Sequence, residues 1–177
     1  MSEETKRDLA GNGTNVETMG DLIEMFVSGI VMAQSQVRSV LLLEDRKGKK
    51  VLPVWLAVGE DAIVRDQISG KIEASISHKA GQKILGLCGV QIKNCIFTDL
   101  TGNRQNVYLS FVRNGVVEGM QMRADEVMSF CIAHGARFWC SLSFIKQCRE
   151  INSGIDESVP LAYERRTITE RPQKYLI

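Results

Sequence analysis

Apolar residues recur in two rhythms along this chain, and the switch between them predicts its elements. Met25–Ala33 and Val37–Leu43 are dense in Val, Ile and Leu, separated by the polar Gln34-Ser35-Gln36. Branched runs flanking a short polar break predict two paired strands. The basic Arg46-Lys47-Gly48-Lys49-Lys50 predicts a turn into a third strand, Val51–Leu56. Glu60–Ser69 predicts a short helix closed by Gly70. Between Ser77 and Cys88, the residues Ala80, Ile84, Leu87 and Cys88 fall on one helix face, with Gly89 as its stop. Gly81 and Gly86 weaken that helix, because glycine loses the most backbone freedom on ordering. Val90–Phe97 predicts a strand and Thr101-Gly102-Asn103 a turn. Val107–Arg113 and Val116–Met122 flank Asn114-Gly115, whose tolerance of positive φ suits a two-residue hairpin loop. Ala124–His134 predicts a helix with Ala124, Val127, Met128 and Cys131 inward, stopped by Gly135. Ala136–Cys140 gives a last strand and Phe144–Arg149 a last helix. Hairpins with interspersed helices predict an α+β fold, a mixed and largely antiparallel sheet, rather than a doubly wound parallel one.

Neither end of the chain sustains an apolar rhythm. The pattern divides the molecule into a disordered segment 1–19, a compact domain 20–149 and a loosely attached tail 150–177. Tyr163, Tyr175, Leu176 and Ile177 give that tail an apolar end able to dock. The 177 residues suit one domain, and 44% hydrophobic with 24% charged residues excludes wholesale disorder, collagen or a membrane bundle. The net charge of +1 gives no whole-protein field toward nucleic acid or acidic lipid. It hides a gradient: the segment 1–19 carries −2, the tail −1, and the middle +4. No targeting segment stands out. The most apolar stretch, Leu22–Ala33, contains Glu24 and Ser28 and falls short of the ~20 residues that cross a bilayer. Five cysteines without a C-x-x-C argue against a disulfide framework or structural zinc. Reduced thiols acting as small buried hydrophobes, in a cytoplasmic protein without membrane contact, are the expectation.

No phosphate-binding loop, dinucleotide fingerprint, zinc-protease helix or nucleophile elbow is present. Chemistry must come from polar residues at element ends, where a rigid scaffold presents function. His78 opens its helix and can bind a metal or take a proton near neutrality, although a surface or capping role is commoner for such a histidine. His134 falls in a last helical turn, where a cation suits the dipole, and is read as structural. Asp99 ends a strand before a turn, where an Asx-turn role competes with metal binding. Arg123 stands at a strand–helix junction, a place from which a guanidinium can clamp phosphate. Asp125, Glu126 and Glu60 occupy first helical turns, which the macrodipole alone explains. If they converge with Asp99 and His78, these carboxylates suit a hard divalent cation. The basic turn 46–50 reads as a solvated hairpin tip, diluted by Glu44 and Asp45 and lacking interleaved aromatics for base stacking. Trp55 and Trp139 read as core anchors.

One series of segments carries more information than any single piece. Val51-Leu-Pro-Val-Trp-Leu56 followed by Glu60, His78 opening a helix, Phe97-Thr-Asp-Leu100, Arg123 with an acid three residues on, and Gly135-Ala136 occur in this order. In order and spacing the series resembles the bifunctional nuclease (BFN) domain family over about residues 23–149. That family usually has Arg-Pro-Ser-Asp where this chain reads Arg123-Ala124-Asp125-Glu126, and Arg-Pro-Leu-Thr where it reads Ala74-Ser-Ile-Ser77. The turn after Asp99 is also longer here and lacks the family's next Asp. The resemblance implies an α+β domain that self-associates as a homo-oligomer and a nuclease acting on DNA and RNA. On it rests the expected site: Glu60, Asp99 and Glu126 holding a divalent ion, Mg or Mn, His78 as base or ligand, and Arg123 on phosphate. His78, Arg123 and Glu126 are the expected catalytic residues of this phosphodiester hydrolase. The alternative is a catalytically inactive oligomeric binding or regulatory module on the same fold, favoured by the near-neutral charge and the altered Arg123–Glu126 segment.

Overall fold

The computed structural model describes residues 21–32, 39–70 and 76–148. The expectations for the segment 1–19, the tail 150–177 and the Gln34–Gln36 break lie outside them. Seven strands form one sheet in the order β3-β2-β1-β7-β4-β5-β6. They are β1 Leu22–Met32, β2 Ser39–Asp45, β3 Val51–Trp55, β4 Val90–Thr101, β5 Arg104–Arg113, β6 Val116–Arg123 and β7 Arg137–Ser141. Every pairing is antiparallel except β4 with β7. The predicted α+β class with a mixed, largely antiparallel sheet is therefore the observed one. Helix α1 spans Glu60–Ile68, α2 Ile76–Leu87 and α3 Ala124–Ala133. A further helical run covers 142–148.

Local chemistry explains the connections. Asn114 and Gly115 both adopt positive φ, 51° and 82°, so the β5–β6 hairpin closes through the loop its sequence predicts. Pro53 cannot donate to a ladder, and β3 that contains it is an edge strand. Asp45 accepts the backbone N–H of Lys49 at 2.7 Å and of Lys50 at 2.9 Å, which shapes the basic turn. Those amide bonds, led by that of Lys50, hold its carboxyl below the ordinary range.

The sheet has two unlike faces, set by strand alternation. Met25, Leu41, Leu43, Leu52, Val54, Cys95, Phe97, Val107 and Leu109 point inward and join Val64 of α1 and Val127, Met128 and Cys131 of α3 in one core. Helix α3 lies in the inner face against β3, β4, β5 and β6. The sheet curves around it far enough that Gln105 Nε2 on β5 donates to the Pro53 carbonyl on β3, 2.8 Å away. The outer face carries a smaller cluster of Ile96, Trp139, Leu22 and Tyr108. Trp139 is thus buried, but outside the main core, and Trp55 is only half-buried.

Helix α2 departs from its sequence reading. Ala80, Ile84, Leu87 and Cys88 form one face, but it is the exposed one, with Leu87 89% accessible. The packed side is instead His78, Gly81 and Leu85. Leu85 touches the core, and a side chain at Gly81 would meet Phe130 of α3 at 3.8 Å. With His78 against Ser129 and Phe130 of α3, the apolar stripe faces outward.

Candidate functional site

Arg123 is the hinge of the candidate site, the last residue of β6 and the N-cap of α3, with φ −85° and ψ 137°. Its extended backbone ends the strand and its carbonyl starts the helix. Nε and Nη2 clamp the Asp125 carboxylate at 3.0 and 2.5 Å, and Nη1 lies 3.3 Å from Glu126 Oε1. Hydrogen bonding to Asp125 and its charge push the guanidinium pKa further up, so Arg123 is a permanent cation. Three of its five N–H donors face these two acids, and two remain for other partners.

Sheet register extends this group sideways. Arg123 stands opposite Asn106 on β5, and Asn106 opposite Asp99 on β4. Asn106 Nδ2 donates to Asp99 Oδ1 at 2.7 Å, and the hydroxyls of Thr101 and Thr98 donate to the same carboxylate at 2.9 and 3.1 Å. These bonds, Asn106 first, lower the Asp99 pKa. Asp99 lies within β4 rather than after it, since the strand continues to Thr101. Its neighbour Leu100 packs on the core, so Asp99 points outward.

A second polar group gathers on the inner side. Gln67 of α1 brings Nε2 to 3.2 Å from the Ser129 carbonyl and 3.4 Å from His78 Nδ1. The other ring nitrogen of His78 lies 3.3 Å from Ser129 Oγ, and its ring meets Phe130 edge-on at 6.1 Å. The His134 ring packs against Phe130 as well, tilted by 51° with centroids 4.1 Å apart. Burial first, and the His78 charge second, lower the His134 pKa. The packing of His134 against Phe130 accords with the structural role read for it.

Glu60 opens α1 beside the same helix, where Ala57 N–H bonds the Asp125 carbonyl at 3.3 Å and Glu60 N–H the Ala57 carbonyl at 3.1 Å. Its Oε2 is buried with no partner among the described residues. Glu60, His78, Arg123 and Glu126 thus border the first two turns of α3, with Asp99 two strands away from Arg123. The expected metal ligands do not converge. Among the described residues no group of three or more His, Cys, Asp or Glu is close enough to hold an ion. The reason is facial: Asp99 projects from the outer face, whereas Glu60 belongs to a helix packed on the inner one. Glu60 Oε2 is the expected ligand atom that is both buried and without a partner among the described residues.

Three partners escaped the sequence reading. Gln67 and Ser129 look like ordinary helix polars, and only packing joins them to His78. Asn106 left a trace, since asparagine is disfavoured inside strands. The chain matches no protein-family model and no curated protein.

Proposed function

We propose that this chain is a BFN-like phosphodiester hydrolase acting on nucleic acid, with Arg123 as the phosphate-binding group. The features that support this reading are the ion pair of Arg123 with Glu126 at the start of α3, the contact of His78 with Ser129 on the same helix, and the packing of α1, which Glu60 opens, against it. A scissile phosphate drawn to Arg123 competes with Asp125 and Glu126 for its donors. In this reading the Glu126 carboxylate released in that exchange accepts a proton from the attacking water. His78, held by Gln67 and Ser129, serves as the second proton-transfer group. A divalent ion, if the enzyme uses one, has Glu60 as its best-prepared ligand. The test is cleavage of purified single- and double-stranded DNA and RNA, with Mg or Mn and with chelator. Glu126→Gln and His78→Ala should each abolish cleavage, and unchanged cleavage by both variants removes this site.

The second reading is a non-enzymatic, self-associating binding or regulatory module. One observation favours it: the Asp99 carboxylate is taken up by Asn106, Thr101 and Thr98, and Arg123 is paired with Asp125. If metal-dependent cleavage by the native chain never exceeds that of Arg123→Ala, this reading prevails.

A further inference from the structure

The turn 46–50 gains in three dimensions what it lacks in sequence. Phe26 of β1 stands opposite Glu44 of β2, at the root of the turn, on the outer face of the sheet. Met25 beside it is in the core, and Phe26 itself is 41% accessible. The Arg46 guanidinium lies 5.7 Å from its ring centroid. An open groove of about 340 Å³ runs along Phe26, Val27, Ser28, Glu44, Asp45 and Arg46. A second, of about 280 Å³, shares Phe26, Asp45 and Arg46 and continues to Lys47 and Lys50. On the neighbouring strand Arg137 lies 6.0 Å from the ring centroid of the buried Trp139. Trp139 stands opposite Glu24, two residues from Phe26 along β1. The Asp99–Asn106–Arg123 row shares this outer face.

We propose that the groove between Phe26 and the turn 46–50 binds single-stranded nucleic acid, Phe26 stacking a base while Arg46, Lys47 and Lys50 hold its phosphates. The proposal rests on the reading of this chain as a protein that acts on nucleic acid, and it assigns that substrate a binding surface beyond the α3 site. An accessible aromatic face beside cations is the combination that single strands require, because every base offers a π-face and every link a charge. Arg46 is suited to change partners. Its side chain is 83% accessible, and among the described residues its closest acid, Glu24, is 4.0 Å away. Swinging toward phosphate uncovers the Phe26 ring. Of the acids in the groove, Asp45 is committed to the turn's amides, which leaves Glu24 and Glu44 as the opposing charges. A duplex hides its base faces and lacks the stacking contribution.

The test is fluorescence anisotropy of labelled oligothymidylate and oligouridylate with the full chain, at low and physiological salt. Phe26→Ala should weaken binding by roughly tenfold or more, the loss of one stacked base, and Phe26→Tyr should retain it. Arg46→Ala with Lys47→Ala should weaken binding and flatten its dependence on salt. Glu24→Gln should tighten it. Because Phe26 is on the surface, unchanged far-UV circular dichroism will show that its variants fold. Absence of oligonucleotide binding, or equal binding by Phe26→Ala, overturns the proposal. So does preferential capture by phosphatidylserine vesicles, which would make the patch a lipid-facing one. Binding that persists in a chain that cleaves nothing supports the groove and counts against the catalytic reading alone.

Discussion

Single side chains in this protein owe their roles to what lies across from them, not to their neighbours in sequence. Asn94 is fully buried on the outer face, accepting from Trp139 Nε1 at 3.0 Å and donating to Ser110 Oγ at 3.1 Å. It is satisfied only because β7 and β5 flank β4 at that level. His134 shows the same dependence. Its imidazole is held toward the neutral form by burial, with the charge of His78 adding to the effect. The unfolded chain, with imidazole at its ordinary value of 6.5, takes up a proton more readily than the native state. Stability is therefore full above that value and is lost as pH falls from it through the lower folded value. Urea unfolding across this range should show that loss, and His134→Gln should reduce its slope. A variant whose pH profile matches the native chain's would place the effect elsewhere.

Helices α2 and α3 contrast at the scale of elements. The residues of α3 named inward by periodicity, Ala124, Val127, Met128 and Cys131, are all buried. The stripe named on α2 is a true stripe on the open side of its helix. Periodicity reports that a helix has an apolar side; it carries no information about what covers that side. The two helices should respond oppositely to substitution. Leu87→Glu should change stability by less than about 0.5 kcal/mol, as for other exposed positions. Met128→Ala, which empties a fully buried site, should cost about 2–5 kcal/mol. Thermal melts of the two variants will measure the difference. A large loss in Leu87→Glu would mean that the α2 stripe is covered in solution.

Across the whole molecule, the cysteines record how the sheet wraps its core. Cys95, Cys131, Cys140 and Cys148 are buried and unpaired by disulfides, whereas Cys88 at the end of α2 is exposed. The expectation of five buried thiols thus holds for four, and Cys88 departs for the same reason as its helix face. A hydrogen bond with Cys131, followed by burial, raises the Cys95 thiol. Burial pushes Cys140 up to about 12. Thiolate is the reactive form, so a thiol reagent should modify Cys88 rapidly in the native protein and the other four only on unfolding. Mass spectrometry of timed aliquots will count them; rapid modification of a second cysteine would contradict the closed core.

The sequence by itself determined the elements of this protein, because their signals are local. Branched runs make strands, Asn114-Gly115 closes a hairpin and glycines stop helices through backbone preferences that need no partner. The candidate residues Glu60, His78, Asp99, Arg123 and Glu126 were legible as polar groups at or near element ends. Their grouping was not. Tertiary structure alone decided that Asp99 faces outward with Asn106, that His78 meets Ser129, and that Phe26 stands beside Arg46. Those juxtapositions depend on strand register and on the curvature of the sheet around α3. Both are set by packing of the entire core, a property no short stretch of sequence contains.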